Sequence, residues 1–186
     1  RINGRDSVWH QADLAAVAGS AADYIVLPKV EAAEEAAAAA ATARKPLLAM
    51  IETPAGVLAA AAIAAATGVA GLIAGTNDLS ATLGMPPGDD RRGLALALQS
   101  IVLAARAAGG WALDGVFNRL DDLAGLEAQC AEGRLFGFDG KTLIHPDQLA
   151  VANRAFGPSA TELADARALV AAATGGAERF EGRMVE

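Results

Sequence analysis

LLAMIETPAGVLAAAAIAAATGVAGLIAGTND, residues 47–78, holds two short uninterrupted apolar runs, and a carboxylate follows each. Leu47-Leu48-Ala49-Met50-Ile51 reads as a strand followed by Glu52, and Gly71-Leu72-Ile73-Ala74 as another followed closely by Asp78. Between them lies an alanine-rich helix, expected from Gly56 to Ala66, with a turn at Thr67-Gly68. Thr53 to Asn77 carries no charge and is long enough to span a bilayer. Its alanine content and its breaks at Pro54, Gly56, Gly68, Gly71 and Gly75 argue instead for a buried helix and strand.

The same alternation extends in both directions. A helix capped by Asp6 or Ser7 is expected to run to Ala18, and Tyr24 to Pro28 to form a strand. Glu31 to Arg44 reads as a helix, acidic at its start and basic at its end, as the helix dipole prefers. Beyond the central stretch come a long helix over Arg91 to Ala108, a strand over Trp111 to Phe117 and a helix over Leu120 to Glu132. A fifth strand is expected to begin at Phe136, a short helix to run from Pro146 to Phe156, and a last helix from Thr161 to Ala173. Short apolar strands alternating with helices predict an α/β fold with a parallel sheet, either doubly wound or a (β/α)8 barrel.

The 186 residues are 53% hydrophobic and 20% charged, which excludes a disordered chain. The net charge of −7 and the lack of a basic patch argue against a nucleic-acid partner. One cysteine, Cys130, excludes a disulfide framework and a cysteine-rich zinc site, and it is expected to be a packed thiol. No Gly-x-Gly-x-x-Gly or P-loop motif follows a strand. No basic segment leading into an apolar one stands at the start, and a cytoplasmic setting is expected.

Polar residues cluster at the expected C-terminal ends of strands: Lys29, Glu52, Asn77, Asp78, Asp114, Asp139, Lys141 and His145. Barrel enzymes build their active sites there. Glu52 and Asp78 lie about one strand–helix unit apart, so neighbouring strands would set them side by side. Two such carboxylates want a proton or a cation, and hard oxygen ligands suit Mg²⁺. Helix capping is the alternative for each. Arg1 could hold a substrate carboxylate in a bidentate grip, or be a solvated terminal residue. Asn77 and Asp114 are candidate substrate contacts. Asp139, Lys141 and His145 could instead form an internal ion pair with a core histidine.

Six motifs in order carry a resemblance: Arg1-Ile2-Asn3, Leu27-Pro28-Lys29, Ile51-Glu52-Thr53, Gly75 to Leu79, Leu113 to Val116, and Gly137 to Pro146. Together they resemble the HpcH/HpaI aldolase and citrate lyase family, on the citrate lyase beta subunit branch. The resemblance implies a (β/α)8 barrel, which here would lack its first strands, so that the chain would be part of a longer protein. It implies a barrel over residues 1–174 and, over 175–186, a segment shared with a neighbouring subunit in a homotrimer or hexamer. It implies Mg²⁺ on Glu52 and Asp78, and Arg1 on the carboxylate of an oxo acid. The implied reaction is C–C cleavage of a 3-hydroxyacyl-CoA thioester, such as citryl-, malyl- or citramalyl-CoA, to an acyl-CoA and a 2-oxo acid. Malyl-CoA hydrolysis, a CoA-independent 2-oxo acid aldolase and a non-catalytic barrel subunit stand as alternatives. Glu186 stands where the family carries a catalytic aspartate. Its extra methylene would move the carboxylate by about 1.5 Å, and a misplacement of about 1 Å can cost two orders of magnitude in rate.

Overall fold

The computed structural model describes residues 1–88 and 90–172, together with the backbone of 178–180 and 183–185. Five parallel strands form the sheet: β1 (Ile25–Leu27), β2 (Leu47–Ile51), β3 (Val69–Ala74), β4 (Trp111–Asp114) and β5 (Gly140–Lys141). Their spatial order is the chain order, each strand pairing with the one before it. A doubly wound sheet needs a reversal of strand order, and none occurs among these strands. Right-handed crossovers between consecutive neighbours put every connecting helix on the same side. The sheet is thus the arc of an incomplete (β/α) barrel.

Helices α1 (His10–Ala18), α2 (Ala33–Ala43), α3 (Pro54–Ala64), α4 (Thr76–Thr82), α5 (Ala95–Ala107), α6 (Leu123–Phe136), α7 (Leu149–Phe156) and α8 (Ala160–Ala172) make up the helical part. Of these α1, α2, α3, α5, α6 and α7 pack on one another in that order. Strand periodicity decides what the layer between sheet and helices contains. Leu47, Ala49 and Ile51 of β2, with Ile25 and Leu27 of β1 and Leu72 and Ala74 of β3, point at the helices. There they meet Ala36, Ala39 and Ala43 of α2, Ile63 of α3, and Leu98, Ile101 and Ala105 of α5. The alanines of α2 and α3 let helices lie close to the strands, which explains a core with so few aromatics. A smaller cluster of Phe117, Leu126, Cys130, Val151 and Ala152 joins α6 to α7. Cys130 is a packed thiol there, and burial pushes its pKa up.

The alternate residues Val26, Leu48, Met50, Ile73 and Leu113 line the opposite, concave face. At its N-terminal edge the rings of Tyr24 and Trp111 meet with centroids 5.3 Å apart. Ile2 N–H donates to Val26 O at 3.0 Å, so residues 1–3 run along the outer edge of β1.

Five expectations shift. Asn77 and Asp78 lie in the first turn of α4, a seven-residue helix too short and too rich in weak helix formers to be read from its sequence. The expected helix from Arg91 opens as a 3₁₀ turn, Arg92–Leu94, before α5. The strand from Trp111 stops at Asp114 rather than Phe117, and residues 115–118 are irregular. Phe136 ends α6 instead of starting a strand, because Gly137 at φ 96° adopts the left-handed turn that terminates the helix. The first helix starts at His10, and Ser7 Oγ accepts from Trp9 N–H at 3.2 Å rather than capping a longer helix. Beyond α8 the backbone forms an antiparallel pair, β6 (Glu178–Phe180) with β7 (Arg183–Val185).

Candidate active site

Three consecutive units bring Lys29, Glu52 and Asp78 to the C-terminal edge of the sheet. Lys29 follows β1, Glu52 follows β2 and Asp78 sits one turn past β3. Lys29 lies in the left-handed region, φ 54°. A non-glycine residue held there costs about 1–2 kcal/mol. The conformation aims the Lys29 backbone N–H at Glu52 Oε1, 2.9 Å away, and the Lys29 ammonium reaches Asp78 Oδ2 at 3.0 Å. One residue therefore contacts both carboxylates.

Glu52 is buried, and Gly75 is what gives it room. A Cβ built on Gly75 would lie 2.2 Å from Glu52 Cβ and 2.7 Å from its Oε2. Burial, followed by the negative charge of Asp78, pushes the Glu52 pKa above its ordinary value. Lys29 and Arg1 work in the opposite direction. The ion pair with Asp78 holds the Lys29 ammonium above its ordinary range. Helix capping does not occupy Glu52, since α3 is capped by Thr53, whose Oγ1 accepts from Gly56 N–H at 3.1 Å.

This donor set fits a hard divalent cation. The two carboxylates repel, one is desolvated, and a lysine ammonium already supplies positive charge on Asp78. Among the described residues no group of three or more His, Cys, Asp or Glu side chains could hold a metal. Two protein oxygens with the remaining positions left to water and substrate is the pattern Mg²⁺ accepts.

Arg1 is exposed, and its charge acts on Glu52. Asn77 is tied to Asn118 by reciprocal amide bonds, 3.1 Å from Asn77 Nδ2 and 2.8 Å from Asn118 Nδ2. The pair joins α4 to the segment after β4 and walls a cavity of about 380 Å³ that also touches Ser80, Pro86 and Arg91. A second cavity of about 190 Å³ opens beside Lys29 and Thr53. Asn77, next to Asp78, lines the first, and Lys29 and Thr53, the latter next to Glu52, line the second.

Asp114 is placed differently from the other candidates. It shares the face of Ala112, toward the helices, and is fully buried. Arg91 Nη1 donates to both its oxygens at 2.8 Å, and Lys141 Nζ donates to Oδ2 at 2.9 Å. Lys141 also donates to Gln129, and Arg91 Nε to Glu132. Burial pulls the Lys141 pKa down against the pull of Asp114. Asp114 thus anchors a buried ion network behind the cavity wall and presents no carboxylate to its surface. Asp139 pairs with Arg106 rather than with Lys141, and half-exposed His145 caps the 3₁₀ turn Pro146–Gln148 instead of sitting in the core. Glu186 lies outside the described residues. Sequence reasoning placed Lys29 at a strand end without a role and did not single out Arg91 or Asn118. The partners of Lys29 and Arg91 lie 23 to 49 residues away in the chain, so no neighbouring residue points to them.

The HpcH/HpaI aldolase/citrate lyase family model matches residues 1–146. A (3S)-malyl-CoA thioesterase of Cereibacter sphaeroides is 48% identical over 173 residues, 92% of this chain and 61% of that protein. A citrate lyase subunit beta-like protein of Mycobacterium tuberculosis is 38% identical, over 100% of this chain and 70% of that protein. The crystal structure of M. tuberculosis CitE in complex with magnesium, acetoacetate and coenzyme A superposes with a TM-score of 0.85 at 37% identity. It is matched over 100% of this chain and 71% of its own. The chain thus spans 61% of the length of the thioesterase it matches. With the barrel arc, the Glu52–Asp78 pair at adjacent strand ends and these matches in agreement, the chain belongs to the HpcH/HpaI aldolase/citrate lyase family.

Proposed function

We propose that the protein is a Mg²⁺-dependent carbon–carbon lyase that cleaves a 3-hydroxyacyl-CoA thioester of the citryl-, malyl- or citramalyl-CoA kind into an acyl-CoA and a 2-oxo acid. The observation that carries this reading is the convergence of Glu52 and Asp78 on the Lys29 junction, beside two cavities. The magnesium complexes of the CitE relative support the metal. Glu52 and Asp78 would hold Mg²⁺, which supplies Lewis acidity at the oxygens of the hydroxy or oxo acid. Gly75 leaves the room that Glu52 occupies, and the Lys29 N–H orients it. Arg1 offers a guanidinium to the acid's carboxylate. Asn77, fixed by Asn118, presents its amide at the edge of the larger cavity. Asp114 acts at a distance, holding Arg91 in the wall of that cavity. Glu186 is the candidate acid/base, in the family aspartate's position.

Hydrolysis of malyl-CoA is the second reading, favoured by 48% identity to a malyl-CoA thioesterase. The same reading of the family extends to residues 1–174 as the barrel unit, with 175–186 passing to a neighbouring subunit of a homotrimer or hexamer. A cytoplasmic setting belongs to it too, supported by the free thiol of Cys130. Among the described residues no helix is long and apolar enough to cross a membrane.

The test is malyl-CoA with Mg²⁺, following free thiol and released oxo acid separately. Oxo acid without thiol identifies the lyase, and thiol without oxo acid identifies the thioesterase. Glu52→Gln and Asp78→Asn should each abolish turnover. Turnover that survives both substitutions, or needs no divalent cation, refutes the metal assignment.

A further inference from the structure

Lys29 is the least expected member of the site. Its side chain is 63% exposed, so it has room to move, yet its backbone is pinned in the left-handed region against Glu52. Its ammonium lies 3.0 Å from Asp78 Oδ2, on the carboxylate that the proposed function gives to the metal. A dication on Asp78 would stand a few ångströms from that ammonium, and like charges at such range repel. The two cations therefore compete for the Asp78 carboxylate, while the backbone N–H can stay on Glu52 in either state.

We propose that Lys29 is a displaceable counter-cation: its ammonium neutralises Asp78 until a divalent metal takes that carboxylate, and then turns to the anionic oxygens of the bound acid. The inference rests on the metal reading above. The backbone supports the division of labour. The N–H that orients Glu52 belongs to the pinned main chain, and the charge that moves belongs to the exposed side chain. The exposure of the side chain leaves the ammonium free to part from Asp78. Metal loading would thereby release a positive charge when the acid needs one. Lys29 acts as a positioning residue for metal and acid.

The experiment separates charge from conformation. Asparagine and glycine both accept the left-handed region, so Lys29→Asn and Lys29→Gly keep the N–H on Glu52 and remove the ammonium. Lys29→Arg keeps a cation. Mn²⁺ affinity is measured by electron paramagnetic resonance at low salt. Glyoxylate affinity of the Mn²⁺-saturated protein is measured by calorimetry. We expect both neutral variants to bind Mn²⁺ about tenfold more tightly than wild type, and to bind glyoxylate about tenfold more weakly. Arginine should restore both values toward wild type. Unchanged or weaker Mn²⁺ binding in the neutral variants, or unchanged glyoxylate binding, overturns the proposal. Wild-type protein that binds no Mn²⁺, or Glu52→Gln protein that binds it as tightly as wild type, overturns instead the metal reading beneath it.

Discussion

Replacing Gly75 with alanine should damage the proposed metal site more than its size suggests. The added methyl would stand 2.2 Å from Glu52 Cβ, 2.7 Å from Oε2 and 3.2 Å from Cδ. Glu52 Cβ is fixed to the main chain just past β2, so rotating the side chain does not relieve the first clash. Ordinary contact begins near 3.4 Å, so the end of β2 and the entry to α4 must part by about 1.2 Å. That motion also strains the bond from Gly75 N–H to Ile51 O, now 2.8 Å. Overpacking of this kind costs about 1–3 kcal/mol of stability. The functional cost is larger, because Mg²⁺ demands ligands near 2.1 Å in strict geometry and a misplacement of about 1 Å can cost about 10²-fold in rate. We expect Gly75→Ala to fold, to bind Mg²⁺ at least ~10-fold more weakly and to lose ~10²-fold in kcat/KM. Calorimetric Mg²⁺ titration and the malyl-CoA assay measure these, and urea unfolding measures the stability. Gly19→Ala is the control, because a Cβ there meets nothing within 4 Å. Wild-type Mg²⁺ affinity in Gly75→Ala would refute the placement of Glu52 as a ligand cradled by Gly75.

Two more outcomes follow. Asp114→Ala leaves Arg91 and Lys141 buried without their shared carboxylate, and should lose about 3–5 kcal/mol in urea unfolding; a loss under about 1 kcal/mol would mean that the network is not structural. Glu52, whose pKa is raised above its ordinary 4.5 chiefly by burial, binds its proton more tightly folded than unfolded, so metal-free stability should fall as pH climbs from 4.5 through the raised value and then level off. Saturating Mg²⁺ should remove that slope, as thermal melts between about pH 4 and pH 8 with and without metal would show.

The carboxylate pair was legible because Glu52 and Asp78 each follow an apolar strand, and consecutive parallel strands place such residues together. The β2 expectation matched to the residue, since five apolar residues between Pro46 and Glu52 leave little choice of boundary. Asp114 shows where strand-end logic needs a second test. Counting by twos from Ala112 puts it on the helix-facing side, where only a buried ion network can satisfy it. Arg91 and Lys141 join it from distant segments, so composition alone could not pair them. Lys29 escaped a role for another reason: its importance lies in a backbone conformation, φ 54°, that lysine rarely adopts and no propensity foretells.

The strand order has a bearing on how the protein comes to exist. Because each of β2 to β5 pairs with the strand before it, each new strand–helix unit finds a strand edge already made as the chain is synthesised. Lys29, Glu52 and Asp78 come from three successive units, so the carboxylate pair is assembled once α4 has docked. The network around Asp114 closes only when Lys141 arrives. The carboxylate pair is thus laid down by the nascent chain before the ion network that closes beside it.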